Sequence, residues 1–235
     1  MQGRPAAGPV AVVVALREEV RAIRAGLRDK NVVVARTGIG KANAEKRTAT
    51  LIESESPRVI IATGFAGGLK PGLSPGDVFV ASEVCEADNA SARWATPPHL
   101  LELADSVPLD GREIHVGRLV TVDKVASSCQ DKRELCRRAG ADAVDMESSG
   151  ILRVAAERQV PVICVRAILD EVDFELPFDF GKIFTPEGRP RLLGALGAIA
   201  ERPGGVAKLL PLRTRARAAA KSLGILVPRW VEALT

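Results

Sequence analysis

Residues 58–68 read Arg-Val-Ile-Ile-Ala-Thr-Gly-Phe-Ala-Gly-Gly. Arg58 to Ala62 reads as a strand, carried by the apolar residues Val59, Ile60, Ile61 and Ala62. Thr63 to Gly68 predicts a glycine-rich loop at the carboxyl end of that strand. Four of these six residues are glycine or alanine, so a ligand could approach the backbone closely.

The same alternation repeats outward from this segment. Val10 to Ala15 and Asn31 to Ala35 predict buried strands. Between them Arg17 to Arg28 predicts a helix, with Val20, Ile23 and Leu27 on one stripe. Thr37-Gly38-Ile39-Gly40 is a glycine turn, and a helix follows from about Lys41 to Glu53. Further strands are expected at Asp77–Val84, Ile114–Val122, Asp142–Asp145 and Pro161–Ile168, with helices at Asp131–Ala139 and Ser148–Arg158. An irregular acidic and aromatic stretch runs on to Phe184. From Arg189 the chain reads as helical, broken by Pro203, Pro211 and Pro228. Alternating strands and helices predict an α/β sheet with helices on both faces. Ligands in such sheets sit beyond the carboxyl ends of the strands. The glycine loops at 37–40 and 63–68 and an acidic loop at 168–173 are therefore expected to share one site.

The chain has 235 residues, 46% hydrophobic and 26% charged, which predicts one domain, 1–235, and excludes a largely disordered chain. Its four cysteines are scattered without a CxxC pair, and there are two histidines. No zinc-type cluster, and neither a metal nor a cofactor, is expected. Aromatics are 3% and tyrosine is absent, which argues against base-stacking nucleic-acid platforms and so against a nucleic-acid partner. There is no membrane-span-length apolar run and no signal-peptide h-region, so a soluble, cytoplasmic protein is expected.

Three acidic positions stand at strand ends or helix starts: Glu18-Glu19, Asp145-Met146-Glu147 and Asp170. A carboxylate in a first helical turn is favoured by the helix dipole, and Asp170 could serve only as a cap. An ionised carboxylate at Glu147 could also accept two hydroxyl hydrogens from a sugar diol. The residues alone leave these readings open. Gly38-Ile39-Gly40 lacks the third glycine of a dinucleotide fingerprint, since Asn43 stands there. Gly40-Lys41 lacks the following hydroxyl of a phosphate loop, since the next residue is Ala42.

Together, four blocks in order resemble the nucleoside phosphorylase/nucleosidase superfamily. They are Ala15-Leu16-Arg17-Glu18-Glu19-Val20, Thr37 to Ala44, Thr63 to Leu69 with Pro75-Gly76-Asp77-Val78, and Val144-Asp145-Met146-Glu147 with Arg166 to Asp170. The resemblance implies a three-layer α/β sandwich around a central mixed, distorted sheet, and a homo-oligomer. It implies cleavage of a purine N-glycosidic bond, with a small-molecule purine nucleoside as ligand. Asp170 would protonate the purine at N7. Glu19 would activate water, as in methylthioadenosine/S-adenosylhomocysteine nucleosidases. Glu147 would hold the ribose 2′- and 3′-hydroxyls and Met146 would pack on the ribose. Phe65 and Gly67 would line the floor near the anomeric carbon. Val125 falls near a base-stacking phenylalanine of those nucleosidases.

Phosphorylases of this superfamily often carry an arginine and a serine or threonine on phosphate where this chain has Ala62 and Phe65. That departure favours water as the attacking group. An atypical phosphorylase is the alternative, and a non-catalytic nucleoside-binding protein a second. Val122-Asp123-Lys124-Val125, the apolar Phe65 and a basic tail containing Arg202-Pro203 resemble the hopanoid-associated phosphorylase/nucleosidase group, which implies adenosylhopane as a substrate.

Residues 189–235 form a basic helical C-terminal extension, with nine Lys/Arg against two Asp/Glu. One reading packs an apolar stripe on the domain with the basic residues outward. The other is peripheral contact with an anionic membrane at the inner face, with Trp230 at the interface and the prolines dividing the tail into short pieces.

Overall fold

A computed structural model describes residues 8–28, 31–89, 91–106, 114–177, 185 and 209–235. Among the described residues, eight strands form one sheet: β1 (Val10–Val14), β2 (Val32–Arg36), β3 (Val59–Gly68), β4 (Val78–Glu86), β5 (Arg93–Ala95), β6 (Ile114–Thr121), β7 (Ala143–Asp145) and β8 (Val162–Asp170). The described helices are α1 (Arg17–Arg24), α2 (Lys41–Glu55), α3 (Pro98–Ser106), α4 (Cys129–Ala139), α5 (Ser148–Glu157) and α6 (Leu209–Leu234).

The order is β2-β1-β3-β7-β6-β4-β5, and β8 pairs with both β3 and β4. The path from β3 through β7, β6, β4 and β8 returns to β3, so the centre of the sheet closes into a distorted ring. Pairing is mixed. β3 runs parallel to β1 and β8 and antiparallel to β7.

Helices cover both faces, and the α/β sandwich expected from the sequence is what forms. Ala44, Leu51 and Ile52 of α2 and Ile151 of α5 pack with Ile60 and Ala62 on one face. Ile23 of α1, Leu100 of α3 and Leu223 and Trp230 of α6 pack with Val12, Ile61 and Val165 on the other. α4 closes a third cluster, with Leu135 and Cys136 against Val120 and Val144.

Several local expectations are corrected. Thr63 to Gly68 is strand, not loop, because its small residues carry the β8 ladder on through Gly67. Leu169 and Asp170 likewise belong to β8, so the acidic loop begins at Glu171. β2 is half-buried throughout, since it lies at an edge of the sheet rather than inside it. β5 and α3 are additions that the pattern of apolar residues did not announce.

In the tail, α6 runs as one helix through Pro211 and Pro228. Pro211 sits in the first turn, where its missing N–H has no intrahelical acceptor to lose. The Pro228 ring rests on Gly26: a side chain there would place its Cβ 2.6 Å from Pro228 Cγ. Residues 189–208, with Arg202-Pro203, lie outside the described residues. No described helix is long and apolar enough to cross a membrane.

Candidate active site

β1 and β7 share one edge of β3. β1 pairs with residues 59–62 and β7 with 67–68, while β8 occupies the other edge. Among the described residues, 63–66 therefore have no strand beside them on the shared edge. Glu19 fills this gap from the third position of α1. Its Oε2 accepts hydrogen bonds from the backbone N–H groups of Ala15 (2.9 Å) and Leu16 (2.8 Å). Its Oε1 accepts one from the N–H of Phe65 at 2.9 Å. The carboxylate thus ends β1, caps α1 and satisfies a donor on the open edge of β3. Burial pushes the Glu19 carboxyl above the usual range, and the three N–H groups and Arg166 oppose it.

Gly64 lies in register with Arg166. It has φ +152°, and a Cβ there would stand 2.6 Å from Arg166 Nη1 and 2.8 Å from Glu19 Oε1. Glycine is what lets the guanidinium and the carboxylate converge over the strand. The buried Arg166 donates from Nη2 to Asp145 Oδ2 and to Ser148 Oγ, each at 2.6 Å. Asp145 also accepts from Thr121 Oγ1 (2.8 Å) and from the Ser148 N–H (3.0 Å). A buried charge needs such partners to be tolerable.

Glu147 stands between β7 and α5. Its Oε1 accepts from the N–H of Gly40 at 2.8 Å, at the N-terminus of α2, where φ is +92°. Burial pushes Glu147 up to about 8, and the neighbouring Asp145 adds to the rise. Three carboxylates, Glu19, Asp145 and Glu147, thus surround one guanidinium.

Farther along the same strand pair, the register slips between Ala66 and Gly67. Beyond the slip Gly67 is opposite Asp170, and a Cβ on Gly67 would lie 3.6 and 3.7 Å from the two Asp170 carboxyl oxygens. Asp170 is buried and paired with Lys132 of α4 through Oδ2. Burial pushes its carboxyl upward while the Lys132 ammonium pulls it down. Gly64 and Gly67 are three strand residues apart, about 10 Å at the usual rise.

The other expected residues fall around these two clusters. Met146 is half-buried against the third core cluster with Val122 and Val144. Val125 is half-buried in the connection from β6 to α4. Phe65 contributes its backbone N–H to Glu19, and its ring packs with the apolar cluster on the α6 side. The reading of the sequence did not assign roles to Asp145, Arg166 or Lys132. An arginine within the apolar run Pro161 to Ile168 was a usable signal, because a charge in a buried strand must be paired. Lys132 sits in an ordinary polar helix and carried none.

The family model described as Phosphorylase superfamily matches residues 13–200. A 5′-methylthioadenosine/S-adenosylhomocysteine nucleosidase of Staphylococcus epidermidis is 34% identical over 163 residues, covering 61% of this chain and 70% of that protein. Among solved structures, the nucleosidase of that name from Neisseria meningitidis, in complex with methylthio-immucillin-A, superposes with a TM-score of 0.70 at 23% identity, covering 94% of this chain and 99% of the other. The futalosine hydrolase of Helicobacter pylori gives a TM-score of 0.70 at 21% identity, covering 94% and 97%. With its four motif blocks, its mixed sheet and the family match in agreement, the chain belongs to the phosphorylase superfamily.

Proposed function

We propose that this protein is a nucleosidase that hydrolyses the N-glycosidic bond of a 5′-substituted adenosine and releases adenine. The observation that carries the reading is the spacing along β3 and β8. Glu19 and Arg166 converge at Gly64 and Asp170 stands at Gly67, three residues and about 10 Å of backbone farther along β3, a span suited to a ribose at one end and a base at the other.

In this reading Glu147 accepts from the ribose hydroxyls and Met146 packs on the sugar. The bond from the anomeric carbon to the base breaks, and its electron pair leaves with the purine. Asp170 donates a proton to that purine. Water adds to the ribosyl cation and gives its proton to Glu19, whose Oε1 keeps a lone pair beyond the one Phe65 uses. Gly67 and the Phe65 backbone form the floor, and Val125 flanks the base. The nucleosidase names of the relatives support the same chemistry.

Water rather than phosphate is favoured by charge. Arg166, the guanidinium at this end of the site, already pairs with the buried Asp145 and Ser148, and Asp145, Glu147 and Glu19 crowd the same guanidinium with acidic rather than basic groups. Ala62, where phosphorylases place a cation, is buried in the core. The test is adenine release from a series of 5′-substituted adenosines with and without phosphate. Turnover without phosphate is expected. Strict phosphate dependence would make the protein a phosphorylase, and no release from any member would leave a nucleoside-binding protein.

The finer part of the proposal is a bulky apolar 5′-substituent of the adenosylhopane type, handled by a homo-oligomer in a reducing, cytoplasmic compartment with the basic extension against the inner membrane face. The four cysteines are free thiols. Leu209 and Leu210 are exposed at the start of α6, beside the exposed Arg213. Including an adenosine with a triterpenoid chain in the substrate series tests the substituent, and sedimentation with anionic vesicles tests the contact.

A further inference from the structure

We propose that Lys132 is the positioning residue of the proton donor Asp170, and that Arg215 of the C-terminal helix holds the segment in which Lys132 is anchored. This rests on the reading of Asp170 as general acid.

A lysine ammonium has three donors, and all three are used here. Nζ donates to Asp170 Oδ2, to the carbonyl of Glu171 at 2.8 Å and to the carbonyl of Phe174 at 2.8 Å. Lys132 is 0% exposed, so this tripod is what makes a buried cation tolerable at that point. The two residues whose carbonyls anchor the lysine are the same two that Arg215 grips by their side chains. Its Nη2 donates to Glu171 Oε1 at 2.8 Å and its Nε to Glu171 Oε2 at 3.2 Å. Its guanidinium lies 4.0 Å from the centroid of the Phe174 ring. The Leu176 N–H, donating to the Ser127 carbonyl at 2.9 Å, ties the end of the segment to the start of α4. Three parts of the chain, α4, 171–176 and α6, are thus linked in one run of contacts that ends at Asp170 Oδ2 through Lys132.

The consequence for proton transfer is specific. With Oδ2 committed to Lys132, Oδ1 is the oxygen that carries the proton to the base. When that proton leaves, the negative charge remaining on Asp170 is already paired. The ammonium therefore stabilises the product of the transfer and costs nothing in reorganisation. The charged groups acting on Asp170 are Lys132 from α4, Glu171 beside it and Arg215 from α6. A general acid works only while protonated, so activity falls as pH rises through its pKa. Removing the ammonium removes a lowering influence, so the alkaline limb must move to higher pH even as the maximal rate drops.

The experiment is a double-mutant cycle with full pH profiles on the intact chain, using Asp170→Asn, Lys132→Met and the pair, with Lys132→Gln as a polar substitute should Lys132→Met fail to fold. Lys132→Met is expected to lower kcat by about tenfold or more and to raise the alkaline limb. It should cause no further loss in the Asp170→Asn background, because it acts through Asp170. Arg215→Gln, at a half-buried site, should shift the limb in the same direction with a smaller loss of kcat. Losses that multiply, or an unmoved alkaline limb, would overturn the proposal and leave Lys132 a structural residue. An Asp170→Asn variant with wild-type turnover would instead remove the general-acid reading itself.

Discussion

The backbone N–H of Phe65 donates to Glu19 Oε1 at 2.9 Å, across the stretch of β3 that neither β1 nor β7 covers. One side chain from a helix start therefore satisfies a donor on this edge of the strand without a neighbouring strand there. A strand in its place would cover the edge that the proposed ligand needs.

Glu19→Gln follows from this geometry. Three backbone donors converge on the carboxylate, and an amide offers one oxygen and an NH₂ that must face at least one of them. The expected cost is about 1–3 kcal/mol in denaturant unfolding. Turnover should fall by about 10²-fold or more through loss of the base. A variant equal to wild type in both would leave Glu19 without a role.

Gly64→Ala should be as damaging as loss of a catalytic group, although glycine has no chemistry of its own. A methyl there would meet both Arg166 and Glu19 under 3.0 Å in a backbone conformation that disfavours a side chain. Stability should drop by about 1–3 kcal/mol, and kcat should fall with it. Gly40→Ala makes an informative comparison, since φ is again positive but no atom lies within 4 Å. Only backbone strain should be felt there.

Glu147 carries a pH signature. With its folded pKa at about 8 against an ordinary 4.5, its protonated form is favoured by folding. The stability it contributes is complete below about pH 4.5 and is lost as pH rises towards 8. Glu147→Gln should remove that slope from a series of thermal melts. In the proposed role of Glu147 as ribose-diol acceptor the ionised form is the one that binds, so KM for ribosides should fall as pH rises through the same range. Discrimination against 2′-deoxyribosides should disappear in the variant.

The C-terminal helix is part of the core. Trp230 is fully buried with Leu223 and Leu226 beneath β8, so it is not available to a membrane surface. Trp230→Ala should cost about 3–5 kcal/mol. Removal of 209–235 should give an unfolded chain by circular dichroism, whereas a separable membrane anchor would leave the rest folded.

What the sequence determined by itself was set by periodicity. Apolar runs at Val10, Val59 and Val162, separated by amphipathic stretches, are enough to specify buried strands and covering helices, since burial acts on each segment through its own pattern. The ordered motif blocks were also legible, because glycine and carboxylate positions are written one after another. The rest depended on which strand lies beside which. A glycine-rich run is loop or strand according to whether a partner reaches it, and β8 reaches Thr63 to Gly67. Whether Glu19 only caps α1 or also faces Gly64 is decided by β1 stopping at Val14. Lys132 and Asp170 meet only because α4 and β8 converge in space, and no local pattern announces such a pair. Such a pair must offset the desolvation of both charges through close geometry, which exists only once the chain has closed.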